Sequence, residues 1–132
     1  MEKTFIMIKP DGVERGLMGE IIKRIENKGF KIVEAKLIEP KRETVERHYE
    51  EHREKPFFNE LVEFIINGTV MAMIVEGEEV IRSMRNLIGD KDPTIAIPGT
   101  IRGDFSYSTT ENIIHGSDSL ESADREINIW FK

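Results

Sequence analysis

Strand-like and helix-like segments alternate along this 132-residue chain, which predicts a β-sheet covered on at least one face by helices. Residues 4–9 form an apolar run with β-branched and aromatic side chains, a pattern typical of a buried strand. The turn-forming sequence at residues 10–12 ends this strand. Leu17, Ile21 and Ile25 then recur every four residues and so share one helical face. The chain therefore opens with a strand followed by an amphipathic helix.

The middle of the chain continues this alternation. Gly29 suits the left-handed position that follows a helix, so we expect the first helix to end there. A second strand is predicted over residues 30–39, because apolar and charged side chains alternate there. Two helices follow, one capped by Thr44 and reaching about Glu54, and one over residues 57–66 whose first turn begins at a proline.

The last part of the chain adds two strands and two helices. The strands are predicted at residues 70–76 and 112–115, and the helices at residues 78–88 and from 118 to about 127. Asp118 and Glu121 have the spacing of a capping box at the start of the last helix.

Residues 89–110 resist this assignment, since they show no clear periodicity and contain two prolines and three glycines. A segment longer than roughly 15 residues without secondary structure is usually functional or disordered in a compact domain. The segment carries Arg102 and Asp104 and precedes His115 closely. We therefore expect it to contribute to a functional site.

Composition excludes several classes of protein. The chain has no cysteine, which rules out disulfide scaffolds, cysteine zinc sites and thiol nucleophiles and fits a reducing compartment. A net charge of -6 argues against a general nucleic-acid binder, which needs clustered Lys and Arg. No run approaches the roughly 20 apolar residues of a membrane helix, and the N-terminus lacks a signal-peptide pattern. Residues 1–132 are expected to form one domain.

His115 lies between a predicted strand and a predicted helix, within residues 112–119 (NIIHGSDS). A neutral imidazole is nucleophilic and can accept a phosphoryl group, provided that a partner on its other nitrogen fixes the tautomer. The adjacent Gly116 would let another group approach the backbone closely. From this segment alone, catalysis and a hydrogen-bonded structural role are equally well supported.

Two other histidines, His48 and His52, lie one helical turn apart. Their sequence, HYEEH, differs from the His-Glu-x-x-His zinc signature and has no evident third ligand nearby. We interpret them as part of a solvated helix face rather than as a metal site.

Several basic and aromatic residues decide nothing individually. Lys9, Arg85 and Arg102 could together form a basic pocket that attracts an anion to an otherwise acidic protein. Tyr49 and Phe57 could stack on a base, although aromatic residues at helical spacing more often belong to the core.

Taken together, four motifs resemble the nucleoside diphosphate kinase family along essentially the whole chain. They are residues 4–13 (TFIMIKPDGV), 55–58 (KPFF), 98–105 (PGTIRGDF) and 112–119 (NIIHGSDS), the last followed by Glu121-Ser122-Ala123. The His-Gly-Ser-Asp-Ser run is highly specific in this order and context. The resemblance therefore favours catalysis by His115 over a structural role.

The resemblance implies an α+β fold, a ferredoxin-like α/β sandwich in which helices cover a four-stranded antiparallel sheet. It implies a nucleoside-diphosphate kinase that moves the γ-phosphoryl of a nucleoside triphosphate, typically ATP, to a nucleoside diphosphate through a phosphohistidine, in a ping-pong mechanism. Mg²⁺ would be bound through the nucleotide phosphates and not by protein ligands. The enzyme would be cytoplasmic, would bind neither nucleic acid nor membrane, and would be a homo-oligomer, with a hexamer favoured over a tetramer or a dimer.

The matching positions imply roles around the nucleophile. His115 takes the nucleophile's place, and Glu126 takes that of the carboxylate that orients the imidazole. Ser117 matches the supporting hydroxyl, Tyr49 a residue beside the histidine, and Gly116 the glycine next to it.

Other matching positions imply contacts with the nucleotide. Lys9 and Asn112 match the residues on the ribose hydroxyls, and Lys9 also lies near the transferred phosphoryl, which gives it a catalytic role. Phe57 matches the ring that stacks on the base, while Arg85 and Arg102 match the arginines on the phosphates. Stacking tolerates any base, because every base has a π-face.

The sequence departs from the family pattern at two places. Lys91 stands where relatives usually have a threonine that contacts the phosphates, and we predict that it makes a minor phosphate contact. The sequence ends at Trp130-Phe131-Lys132, whereas many relatives continue with a tail that packs on a neighbouring subunit. The second departure bears on the assembly.

Two other classes of function compete with the enzyme. A nucleotide-binding regulatory module on the same fold would have lost the chemistry, but every matched catalytic position is filled here. An RNA-binding module is opposed by the negative charge and by the lack of an aromatic-rich strand motif.

Overall fold

The computed structural model describes residues 1–132, which form four β-strands and seven α-helices. The strands are β1 (Glu2–Ile8), β2 (Lys31–Ile38), β3 (Val70–Gly77) and β4 (Ile114–Gly116). The helices are α1 (Pro10–Glu14), α2 (Met18–Asn27), α3 (Arg42–His48), α4 (Phe58–Ile66), α5 (Val80–Ile88), α6 (Ile101–Phe105) and α7 (Leu120–Phe131), and a short 3₁₀ helix spans Glu50–His52.

The four strands form one sheet in the order β2-β3-β1-β4, and every neighbouring pair is antiparallel. β1 is central, because its whole length pairs with β3 and its last three residues pair with β4. This mixed architecture with its antiparallel sheet confirms the predicted fold class.

The core has two layers because successive side chains of β1 point to opposite faces of the sheet. Ile6 and Ile8 pack with the apolar sides of α2 and α5. Phe5 and Met7 pack on the other face with side chains from α3, α4 and α7. All four side chains are fully buried, and each contributes roughly 1.5–3 kcal/mol by leaving water. Helices thus cover both faces, where the sequence pattern required at least one.

The first helix after Pro40 differs from its prediction. α3 begins at Arg42 with Lys41 at its N-cap, so Thr44 lies inside the helix and does not cap it. The backbone carbonyl of Lys41 accepts hydrogen bonds from the N–H groups of Thr44 and Val45, which starts the helix earlier. The helix then ends at His48, and the 3₁₀ helix takes the place of its predicted last turns.

Other boundaries also move. The turn predicted at residues 10–12 is the first part of α1, and residues 89–110 contain the short α6. The last helix begins after Ser119, whose side chain accepts the backbone N–H of Ser122, so Asp118 is not its cap. That helix extends to Phe131, beyond its predicted end.

The chain reverses sharply just before β4. Ile113 has a φ of 76°, a left-handed conformation that is unusual for a β-branched residue and costs roughly 1–3 kcal/mol. Its carbonyl accepts the backbone N–H of Lys9 at 2.7 Å, and in the sheet His115 lies opposite Met7. The end of β1 and the start of β4 are therefore held side by side.

None of the helices has the length and apolar character that crossing a membrane requires.

Candidate active site

A cavity of about 420 Å³ lies where β1 and β4 meet. Eight of the predicted site residues line it: Lys9, Tyr49, Arg85, Lys91, Arg102, Asn112, His115 and Glu126. A second cavity of about 400 Å³ adjoins the first, since Lys9, His52, Lys91 and Asn112 line both, and Phe57 lies in its wall. The two cavities form one cleft that is basic at one end and has an aromatic ring at the other.

Two of the predicted site residues lie behind the cavity. Ser117 is buried, and its backbone N–H donates to the carbonyl of Phe5. Gly116 packs against α5 so closely that an added Cβ would lie 2.7 Å from Cδ1 of Ile88. The carbonyl of Gly116 accepts a hydrogen bond from Arg85 at 3.2 Å. The sequence anticipated a close approach at Gly116, and a neighbouring helix makes it.

The imidazole of His115 is held from one side. Its Nε2 lies 2.8 Å from Oε1 of Glu126, a residue of α7 whose side chain is 6% exposed. Ser117 donates to the same carboxylate oxygen at 2.7 Å. An ionised carboxylate only accepts hydrogen bonds, so the imidazole proton lies on Nε2 and the lone pair on Nδ1. The geometry leaves Nδ1 of this partly exposed histidine with a lone pair that no protein group occupies.

His48 is buried against His115, and the interpretation of His48 and His52 as a solvated helix face is wrong for it. The two rings of His48 and His115 meet edge to face, with centroids 4.7 Å apart. Burial and then the neighbouring His115 hold the pKa of His48 well below its usual range, with Arg125 and Lys9 acting in the same direction. Trp130 donates its indole N–H to Nδ1 of His48 at 3.1 Å. The only local signal was that His48 follows the buried Val45 by three residues.

Potential metal ligands converge only at His48, His115 and Glu126, whose ligand atoms lie within 4.8 Å of one another. Because Nδ1 of His48 accepts the indole N–H, the proton of the neutral ring lies on Nε2, which then has no lone pair to offer. Glu126 is already bonded to His115 and Ser117. These side chains are therefore already engaged in hydrogen bonds, His48 with Trp130 and His115 with Glu126, and do not form a preorganised metal site.

Lys9 and Asn112 form a pair on the cavity floor. Lys9 donates its ammonium to Oδ1 of Asn112 at 2.8 Å and is 8% exposed. Burial and then the guanidinium of Arg102 lower the pKa of Lys9 to about 8, although the carboxylate of Asp11 acts in the opposite direction. Lys9 is thus a cation at neutral pH that loses its charge at a lower pH than an ordinary lysine does.

Arg102 is a buried guanidinium at the start of α6. It donates to the backbone carbonyls of Gly89, Asn112 and Ile114, the last at 2.6 Å. Burial and then the nearby Arg85 lower the pKa of Arg102 to about 10, so it keeps its charge at neutral pH. Arg102 therefore joins the loop that follows α5 to the segment that carries His115.

The remaining cavity side chains are more exposed or neutral. Arg85 and Lys91 are exposed at the cavity edge and add two positive charges to those of Lys9 and Arg102. Burial and then Glu126 raise the pKa of Tyr49 to about 12, so its phenol is neutral. Four cations around one available imidazole nitrogen suit the transfer of an anionic group.

Comparison with known proteins finds relatives over essentially the whole chain. Residues 2–132 match the family model described as nucleoside diphosphate kinase. The chain belongs to the nucleoside diphosphate kinase family. A relative named nucleoside diphosphate kinase from Macrococcus caseolyticus is 61% identical over 132 residues, which cover 100% of this chain and 89% of the relative.

Other members of the nucleoside diphosphate kinase family agree in sequence and in fold. A relative of that name from Exiguobacterium sibiricum is 59% identical over 132 residues, covering 100% of this chain and 96% of its own length. The crystal structure of a nucleoside diphosphate kinase family protein from Babesia bovis superposes with a TM-score of 0.98 at 52% identity. That superposition covers 100% of this chain and 89% of the Babesia chain.

Proposed function

We propose that this protein is a nucleoside-diphosphate kinase that transfers the γ-phosphoryl of a nucleoside triphosphate, typically ATP, to a nucleoside diphosphate through a phosphohistidine on His115. The observation that carries the proposal is the hydrogen bond between Nε2 of His115 and Glu126. This hydrogen bond leaves Nδ1 of His115 available as a nucleophile in a basic cavity. Full-length similarity to proteins named for this activity supports the same conclusion.

The first half-reaction forms a P–N bond and breaks a P–O bond. The lone pair on Nδ1 of His115 attacks the γ-phosphorus, and the nucleoside diphosphate leaves with the electrons of the bridging bond. Glu126, held by Ser117, stabilises the positive charge that develops on the ring. In the second half-reaction a terminal oxygen of another diphosphate attacks the phosphorus, and the P–N bond breaks.

Phosphoryl transfer depends mainly on positioning and on neutralising charge on the transferring oxygens. Lys9, Arg85 and Arg102 supply that charge around the nucleophile, with Lys91 at the cavity edge. The phenol of Tyr49 lines the same cavity and can donate a hydrogen bond to the phosphoryl group.

The nucleoside would occupy the adjoining cavity. Lys9 and Asn112 line both cavities and are placed to bind the ribose hydroxyls next to the phosphates. The side chain of Phe57 is 41% exposed in the wall of the second cavity, where a base can stack on it.

The donors of the cavity fit a magnesium ion that arrives with the nucleotide. Mg²⁺ is usually held by substrate phosphates with one or two carboxylates and several waters. Glu51, Asp90 and Asp118 are the wall carboxylates outside the His115–Glu126 pair, and they form no closed group of ligands. When bound, the ion would neutralise charge on the phosphate oxygens, which would be its main ligands; Glu51, Asp90 and Asp118 line the same cavity and are the carboxylates that would supplement them.

We further propose that residues 1–132 form one domain, since both core layers are built on β1, and that the domain assembles as a homo-oligomer. Exposed apolar side chains support assembly: Leu37 lies on the edge strand β2, and Ile95, Ile97 and Tyr107 lie in the 89–110 segment. A hexamer is favoured over a tetramer or a dimer. A reducing compartment such as the cytoplasm suits the cysteine-free chain.

Brief incubation with γ-labelled ATP tests the proposed function. We expect label to remain on the protein after the nucleotide is removed, and to be labile in acid and stable in alkali. Added GDP should discharge it as labelled GTP, because the second half-reaction reverses the first on another nucleotide. A protein that binds ATP but never takes up label would be a nucleotide-binding regulatory module and not an enzyme.

Lys91 is predicted to make a minor phosphate contact. Lys91→Ala should raise the KM for the diphosphate by about two- to fivefold with little change in kcat, because an exposed charge contributes roughly 0.2–1 kcal/mol to binding. Lys91→Thr serves as the matched variant that restores a hydroxyl at this position. An unchanged diphosphate affinity in Lys91→Ala would show that the side chain points to solvent.

A further inference from the structure

We propose that Asp11 is a positioning residue of the active site: its carboxylate fixes the turn between Asn112 and His115 and places a negative charge two residues from the Lys9 ammonium. The inference deepens the proposed function and rests on it, because both effects act on residues assigned to phosphoryl transfer. Asp11 does not line the cavity and had no role in the sequence interpretation.

Asp11 reaches the turn from α1. Its Oδ2 accepts the backbone N–H of Ile113 at 3.0 Å, across 102 residues of sequence. Ile113 is the residue with the left-handed φ of 76°, and it lies between Asn112 in the cavity floor and the strand that carries His115. The hydrogen bond therefore holds Ile113, whose unfavourable backbone conformation sets the direction of the Asn112 and His115 side chains.

Close packing makes this bond possible. A Cβ on Gly12, the next residue, would lie 2.8 Å from Cγ2 of Ile8 and 3.0 Å from both Cγ2 and the carbonyl oxygen of Ile113. The glycine thus lets α1 lie directly on Ile113, within reach of the Asp11 carboxylate. The backbone N–H of Lys9 donates to the Ile113 carbonyl at 2.7 Å, so both polar groups of Ile113 are held by this segment.

Only one oxygen of the Asp11 carboxylate bonds to the turn. The residue is 8% exposed, and its Oδ1 is buried without a hydrogen-bond partner. A buried carboxylate that keeps an unsatisfied oxygen is costly unless its charge is compensated nearby. Burial raises the pKa of the Asp11 carboxyl, while backbone hydrogen bonds and the charge of Lys9, two residues away, oppose that rise. In the other direction, the Asp11 carboxylate raises the pKa of Lys9, against burial and Arg102, which lower it.

Lys9 faces many other charged and titratable groups across the cavity, so the Asp11 contribution must be isolated by substitution. They are His48, Tyr49, Glu51, His52, Arg85, Asp90, Lys91, Arg102, His115, Asp118 and Glu126. Lys9 is a cation below its pKa of about 8 and loses its charge as the pH rises through that value. A free enzyme that needs this cation should therefore lose kcat/KM on the alkaline side.

The test compares the alkaline limb of the pH profile of kcat/KM in Asp11→Asn and in the wild type. Asparagine can still accept the Ile113 N–H, but it lacks the charge, so the limb should move to lower pH by about 1 unit. Asp11→Glu keeps the charge and should keep the limb near its wild-type position even if kcat falls. Glu111→Gln is the matched control, because it removes an exposed charge next to Asn112 and should not move the limb.

The role in the turn has its own readout. Asp11→Ala should move the limb and also slow formation of phosphoenzyme by about 10- to 100-fold, since small displacements of reacting groups cost rate of that order. NMR titration of the Lys9 ammonium measures the same shift without turnover. An Asp11→Asn protein whose Lys9 titration and alkaline limb coincide with those of the wild type overturns the inference. A wild type that takes no label overturns the proposed function instead.

Discussion

Replacing His115 with glutamine should abolish phosphoenzyme formation and lower the exchange rate between nucleotides by at least about 10⁴-fold. Glutamine retains a polar side chain of similar length but offers no nucleophilic nitrogen, because its amide lone pair is delocalised. Nucleotide binding should persist, since the cations around the cavity remain in place. Labelling by γ-labelled ATP and equilibrium binding of a diphosphate measure the two quantities separately.

The matched control is His52→Gln, which changes a second histidine in the wall of the same cavity. His52 lies against Phe57 with ring centroids 5.4 Å apart and does not contact the Glu126 carboxylate. The control should therefore still take up label, whatever its nucleotide affinity. Label that survives in His115→Gln would place the phosphoryl acceptor elsewhere and contradict the mechanism.

The sheet and the longer helices were predictable because their signals are local. The central strand β1 is apolar at every buried position except Thr4, and the helices α2 and α5 repeat apolar residues at helical spacing. The five-residue helices α1 and α6 carry too little sequence to show a period. Residues 89–110 therefore resembled one long loop, although a helix inside it presents Arg102.

The family motifs predicted His115, Glu126 and Ser117 as neighbours in one site, whereas the contacts of His48 and of Asp11 were not predicted. His48 is packed among rings that include Trp130, 82 residues away, which also donates a hydrogen bond to it, and no local pattern predicts those contacts. Asp11 bonds to Ile113 across 102 residues, at a backbone conformation that β-branched side chains disfavour. Contacts between distant segments that oppose local preference are the ones that sequence patterns miss.

Substituting Arg102 with methionine should have the second large effect, on stability as well as on activity. Three backbone carbonyls would lose their donor inside the protein, and methionine cannot replace the bonds, so we expect the free energy of unfolding to fall by about 3–5 kcal/mol. Chemical denaturation of the nucleotide-free protein measures this loss. Stabilisation by added nucleotide should weaken too, because the cavity loses one of the cations that we propose bind the phosphates.

Arg82→Met is the matched control, since its side chain is 81% exposed and its only ion pair, with Glu79, is 3.7 Å long. It should leave the denaturation midpoint nearly unchanged. Arg102→Lys separates the effect of the charge from that of the geometry. Its ammonium can neutralise a phosphate, but it cannot donate to three separated carbonyls as the planar guanidinium does. We expect that variant to recover part of the nucleotide affinity and little of the stability. Equal stability in Arg102→Met and Arg82→Met would mean that the loop after α5 and the His115 segment hold together without the guanidinium.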